Sequence, residues 1–135
     1  MWYRQKCNVL DASDADIACT SFANSIKGFN TDVTVRDIVS TYVYPNTLVV
    51  YEVTGEILKK ALSRSAEYFY YDGKEVRISD SFLKPKVEHY NYDYFSNIEY
   101  TFTLNSNGRN SVDAVKFNGK EISDKAKACP ECGYE

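Results

Sequence analysis

The chain is expected to fold as an α+β domain, with helices packed on a mixed or antiparallel sheet. Three stretches carry that expectation. Behind Thr54, the residues Ile57, Leu58, Ala61, Leu62, Ser65 and Phe69 recur at helical spacing. From Ile98 to Leu104, apolar Ile98, Tyr100, Phe102 and Leu104 alternate with Glu99, Thr101 and Thr103, the period of a half-buried strand. Val112–Phe117 is a second strand, and Asn118-Gly119 turns it into Lys120-Glu121-Ile122, because that dipeptide tolerates the left-handed backbone of a two-residue hairpin.

The remaining elements follow in chain order. Met1 to Asp11 reads as the end of a helix, and Asp16-Ile17-Ala18-Cys19 as a short buried strand. Thr20 to Asp32 is a polar loop containing Gly28 and Asn30. Thr34 followed three residues later by Asp37 is a capping-box pattern, opening a helix that runs to about Thr41. Tyr42 and Tyr44 sit in an aromatic loop that ends in the turn signal Pro45-Asn46. Thr47 to Val53 (TLVVYEV) is short and β-branched, which predicts a buried strand. Thr54 then caps the long helix, whose other face carries Lys59, Lys60, Arg64 and Glu67. Tyr70 to Gly73 stops it. Residues 74–97 are the least regular, with short strand-like pieces, Pro85 and the aromatic cluster Tyr90, Tyr92, Tyr94 and Phe95. Asn107-Gly108 marks a turn. The sequence contains no internal repeat and no low-complexity segment.

A length of 135 residues and a mass of 15.4 kDa suit one domain, which at this size buries roughly two-thirds of its unfolded surface. A net charge of −3, from 16 basic and 19 acidic residues, offers nothing to a polyanion, so no nucleic-acid partner is expected. No apolar run approaches a bilayer-spanning length, so no membrane partner is expected either. The first residues, MWYRQKCNVLDASDAD, are too polar for a secretory signal peptide. Tyrosine outnumbers phenylalanine 12 to 7, which places rings at wet surfaces as well as in the core. Cys7, Cys19, Cys129 and Cys132 are too sparse for a disulfide framework and read as free thiols. Cys129-Pro130-Glu131-Cys132 supplies two thiolates where structural zinc takes four ligands, so no metal is expected there.

The run TYVYPNTLVVYEVTGEILKKAL, with ADIACTSF and TVRDI before it and YNYDYFSNIEYTFTL and VKFNGKEI after it, resembles the C-terminal domain of the 5'-nucleotidase family. It is most similar to the branch of bifunctional 2',3'-cyclic-nucleotide 2'-phosphodiesterase/3'-nucleotidases. The resemblance implies a substrate-recognition domain over residues 1–124, incomplete at its C-terminal end, with residues 125–135 a divergent tail. It also implies that catalysis, with its divalent metals, belongs to a separate N-terminal metallophosphoesterase domain that is absent here. A two-metal centre needs several His, Asp and Asn ligands. With His89 as its single histidine, a surface-loop residue by this reading, the chain itself is expected to carry no metal cofactor and no catalytic residue. The expected partners are a nucleotide or nucleoside and the missing catalytic domain. Members of the family are often exported.

The resemblance also implies site residues. Tyr44 is placed where the family stacks an aromatic ring on the nucleobase, while Tyr42 reads as structural. The loop Thr20–Asn24 faces the substrate in the family. Ser21, Phe22 and Asn24 could contact a base or ribose there, or form an ordinary turn. The 5'-nucleotidase branch has a Gly-rich loop with an Arg at this place, and this chain has neither, which favours the cyclic-phosphodiesterase branch. Asp93, in Tyr92-Asp93-Tyr94-Phe95, either accepts from a ribose hydroxyl or caps a turn. The family's second stacking aromatic follows the last strands, where this chain reads DKAKACPECGYE instead. A stand-alone interaction module that keeps the fold without the enzyme is the alternative reading.

Overall fold

The computed structural model describes residues 10, 12–21, 23–25, 28–41 and 46–125. Within them run β1 (Ala18–Ser21), α1 (Val35–Thr41), α2 (Gly55–Ala66), β2 (Phe69–Tyr71), β3 (Val76–Ile78), β4 (Asp93–Ser96), β5 (Glu99–Thr103), β6 (Ser111–Phe117) and β7 (Lys120–Glu121). One-turn 3₁₀ helices occupy Asp80–Phe82 and His89–Asn91. The pairings among these strands are antiparallel: β1 with β4, β2 with β3, and β5-β6-β7 in series. The architecture is the expected α+β one.

The core sits where α2 crosses β6 and β4. Leu58 and Leu62 of α2 pack with Phe95, Val115, Phe117 and Ile122, and the inward residues Tyr100 and Phe102 of β5 close the edge. Leu62 is fully buried, so truncation to alanine would cost about 2–5 kcal/mol. Ser65 shares this face and is 1% exposed, and its hydroxyl has no partner among the described residues.

Local chemistry sets the helix ends. The Thr54 hydroxyl accepts from Ile57 N at 3.4 Å, the expected cap of α2. Thr34 and Asp37 form the reciprocal box that opens α1: Thr34 N donates to Asp37 Oδ2 at 2.8 Å, and Asp37 N donates to Thr34 Oγ1 at 3.3 Å. Hydrogen bonds from Thr34 hold the Asp37 carboxyl below its ordinary range. The Asn118-Gly119 turn has φ values of 49° and 76°, both left-handed, as a type I′ hairpin requires.

Four expectations are corrected. Thr47–Val53 is not a buried strand: residues 46–53 have no regular secondary structure, and Leu48, Val49, Val50 and Tyr51 are exposed. Strand propensity expresses packing between pleated neighbours, and no described strand lies alongside this stretch. Helix α2 ends at Ala66, and Phe69 instead opens a hairpin whose turn contains Gly73 at φ 93°. Ile57 points outward, 51% exposed, because Leu58, Leu62, Ser65 and Ala66 already fill the buried stripe of the helix. β1 starts two residues later than expected, and its register with β4 pairs Ala18 with Ser96 and Ser21 with Asp93. Of the helix end expected over Met1–Asp11, all but Leu10 lies outside the described residues; Asp14 N donates to Leu10 O at 3.1 Å in a helical turn there.

Candidate functional site

The β1–β4 ribbon is buried at one end and open at the other. Ala18 and Phe95 sit in the interior, while Ser21 and Asp93 are Cα partners at the far end of the ladder. Side chains alternate across a strand, so Cys19, Ser21, Asp93 and Phe95 share one face and Thr20 and Tyr94 the other. Three residues past β1, Asn24 Nδ2 donates to Val87 O at 2.7 Å, which ties the loop after β1 to the segment before β4. Ser21, Asn24 and Asp93 are thus gathered at one end of the ribbon, although 69 residues separate Asn24 from Asp93 in the chain. Tyr44 and Phe22 lie outside the described residues, as do Tyr42 and the Cys129–Cys132 pair.

Asp93 is the chemically distinctive member. Its side chain is half-buried, desolvation raises its carboxyl above the ordinary range, and no hydrogen-bond donor among the described residues reaches it. Among the described residues it caps no turn and has acceptor capacity to spare. Beside it, Cys19 is a free thiol that keeps some solvent contact. Desolvation first, and then the Asp93 charge, push that thiol up to about 12. At neutral pH it is protonated and a poor nucleophile.

Next to the ribbon runs an array of rings that the sequence showed only as scattered tyrosines. Tyr92 and Tyr94 meet edge to face at 4.5 Å, and Tyr68 contacts Tyr92 at 4.7 Å, Phe82 at 5.1 Å and Phe69 at 5.4 Å. His89 is half-buried within it, its Nδ1 2.8 Å from the Tyr68 hydroxyl, so it is not the free surface histidine expected. Burial raises the Tyr68, Tyr92 and Tyr94 hydroxyls above the ordinary range. This slab braces the strand that presents Asp93.

Among the described residues, no group of three or more His, Cys, Asp or Glu side chains could hold a metal ion. No helix there is long and apolar enough to cross a membrane. A shallow depression of about 400 Å³ on the β5–β6 sheet, lined by Ile98, Glu99, Tyr100, Thr101, Ala114 and Lys116, includes none of the candidate residues.

The described residues thus form an α+β domain with small antiparallel sheets and with hydroxyl, amide and carboxylate groups at one ribbon end. The sequence matches the profile of the 5'-nucleotidase C-terminal domain over residues 4–127. The fold is similar, with a TM-score of 0.80 and 39% identity, to a crystal structure from Staphylococcus aureus assigned as a 5'-nucleotidase, in complex with α-ketoglutarate. That match covers 89% of this chain, and the chain spans 24% of that protein's length. No curated protein matches the sequence. The chain belongs to the 5'-nucleotidase C-terminal domain family.

Proposed function

We propose that this domain recognises the base and ribose of a nucleotide while a separate metal-dependent domain cleaves the phosphoester. The observation that carries the reading is Asp93: a half-buried carboxylate with no donor among the described residues, paired in register with Ser21 at the open end of the β1–β4 ribbon. A ribose hydroxyl donates to such an acceptor, and the Ser21 hydroxyl beside it either donates or accepts. Asn24 has its amide nitrogen committed to Val87 O, which leaves its oxygen for a ligand donor. Tyr44, which follows α1 in the sequence, stacks on the base. Residues 1–124 form the recognition domain and residues 125–135 a tail. The parent protein belongs to the 2',3'-cyclic-nucleotide 2'-phosphodiesterase/3'-nucleotidase branch, since the loop Ser21–Ser25 carries neither an arginine nor a glycine.

Titration of the chain with 3'-AMP and 5'-AMP, followed residue by residue in NMR amide spectra, tests this. The expected result is a shift of the Ser21, Asn24 and Asp93 amides, with 3'-AMP binding more tightly. Asp93→Asn should weaken binding about tenfold, the order of a charge-assisted hydrogen bond. Tyr44→Ala should weaken it by about 1–3 kcal/mol, and Tyr44→Phe very little, because stacking uses the ring face. Shifts confined to other surfaces, or a preference for 5'-AMP, would count against the site and the branch respectively.

A further inference from the structure

His89 opens the 3₁₀ turn His89–Asn91, with Val87 two residues before it and Asp93 four residues after it. Val87 is 40% exposed, so burial does not fix its carbonyl, yet that carbonyl holds the Asn24 amide at 2.7 Å. The neighbours of Val87 hold it in turn. Glu88 N donates to Phe82 O at 2.8 Å, and His89 Nδ1 lies 2.8 Å from the Tyr68 hydroxyl. Both anchors belong to the folded interior. Phe82 is 1% exposed and meets the Tyr68 ring edge to face at 5.1 Å. The backbone of Tyr68 is tied to the end of α2, where its N–H donates to Ser65 O at 3.2 Å, and to the residue after β3, where its carbonyl accepts from Ser79 N at 2.8 Å. The contacts run without a gap from the end of α2 through Tyr68, His89 and Val87 to Asn24.

We propose, on the reading that Asn24 and Asp93 bind a nucleotide, that His89 is a positioning residue of that site: its hydrogen bond with Tyr68 fixes the Val87 carbonyl, and that carbonyl aims Asn24 at the ligand. His89 touches no substrate in this role. Asn24 stands in the loop three residues past β1, and a side chain on a loop has rotamers to lose when a ligand orders it. Committing its nitrogen to Val87 O removes that freedom beforehand and leaves its oxygen for a ligand donor. The arrangement holds only while Val87 keeps its place. A single 3₁₀ turn has poor hydrogen-bond geometry of its own, so the bond to Tyr68 is what ties this turn to the interior. The same turn leads into β4, so one bond sets both the carbonyl that holds Asn24 and the entry of the strand that carries Asp93. The core cluster around Leu58, Leu62, Val115 and Phe117 does not include Tyr68 or His89.

NMR of the full chain tests the proposal in two stages. In the free protein, the Asn24 side-chain amide protons should exchange slowly and resonate away from the position of a solvated amide. Tyr68→Phe, which keeps the ring and removes the hydroxyl, should return them to that position, as should His89→Ala. His89→Asn should preserve the wild-type signal, because a side-chain amide at this place meets the Tyr68 hydroxyl as donor or acceptor. Titration with 3'-AMP should then show Tyr68→Phe and His89→Ala binding about fivefold more weakly, the order of one hydrogen bond, and His89→Asn binding as tightly as wild type. Adding Tyr68→Phe to Asn24→Ala should weaken binding no further, since the effect passes through that amide. An Asn24 signal unmoved by Tyr68→Phe would overturn the proposal, and so would an undiminished effect of Tyr68→Phe on the Asn24→Ala background. A wild-type protein that binds no 3'-AMP, while Tyr68→Phe still releases the Asn24 amide, would sink the recognition reading and leave the coupling standing.

Discussion

A methyl group on Gly55 would sit 2.0 Å from Ser123 O and 2.7 Å from Ile122 Cγ2, inside contact distance of a backbone atom that cannot swing away. The backbone of Gly55 has no left-handed strain, so a reading from helix propensity alone would welcome alanine there. The tertiary contact reverses that sign. Gly55→Ala should lower stability by about 1–3 kcal/mol, as overpacking does in a filled interior, and a raised urea midpoint would refute the close approach. Asp93 makes the opposite case. Burial raises its folded-state carboxyl above the unfolded one, so the folded state binds the proton more tightly. That advantage is complete below the unfolded carboxyl's pKa and is lost as pH rises through the folded one. Asp93→Asn removes the neutral-pH penalty. It should therefore raise the melting temperature at pH 7 and change it little in acid, while weakening nucleotide binding, the usual trade between a functional group and stability. A melting temperature that fell at pH 7 would mean that the carboxylate is supported by a donor.

Helix α2 is anchored at both ends by side chains from different sources. Its start has a local cap, Thr54, and a distant acceptor, Asp124 O, which takes the Glu56 N–H at 3.1 Å. At its end, Ala66 O and Phe69 O both accept from Asn110 Nδ2 at 2.7 Å, so a residue beyond β5 clasps the helix to the β2–β3 hairpin. Asn110→Ala should cost about 1–3 kcal/mol, because a buried carbonyl is left without a partner, and it should loosen the hairpin as well as the helix end. An unchanged denaturation midpoint would show that water replaces the amide. β6 bends where two of its residues, Ala114 and Val115, oppose the single Tyr100 of β5 between the Glu99–Lys116 and Thr101–Asp113 pairs, and Ala114 there has φ 42°. That bulge lets Val115 and Phe117 face α2 while Lys116 stays opposite Glu99.

At the scale of the whole chain, the prediction concerns metal chemistry. One histidine cannot supply the ligands of a two-metal phosphoesterase centre. The isolated chain should release no phosphate from 3'-nucleotides and open no 2',3'-cyclic nucleotide when Mn²⁺, Zn²⁺ or Co²⁺ is added. Metal-dependent turnover lost in His89→Ala would reverse this conclusion. Much of the fold was legible in the residues. The period of β5, the caps at Thr34 and Thr54, and the Asn118-Gly119 hairpin are dictated within a few positions of chain, and the structure has them; the period of α2 placed the helix but overran its end at Ala66. The family was legible for the same reason, since it rests on residue identity in order. Other features depend on what meets what. The pairing of Ser21 with Asp93, the bond from Tyr68 to His89 and the clasp of Asn110 join residues 21 to 72 positions apart. Thr47–Val53 shows the same limit from the other side: its β-branched composition asks for a neighbouring strand, and a propensity cannot say whether the folded chain provides one.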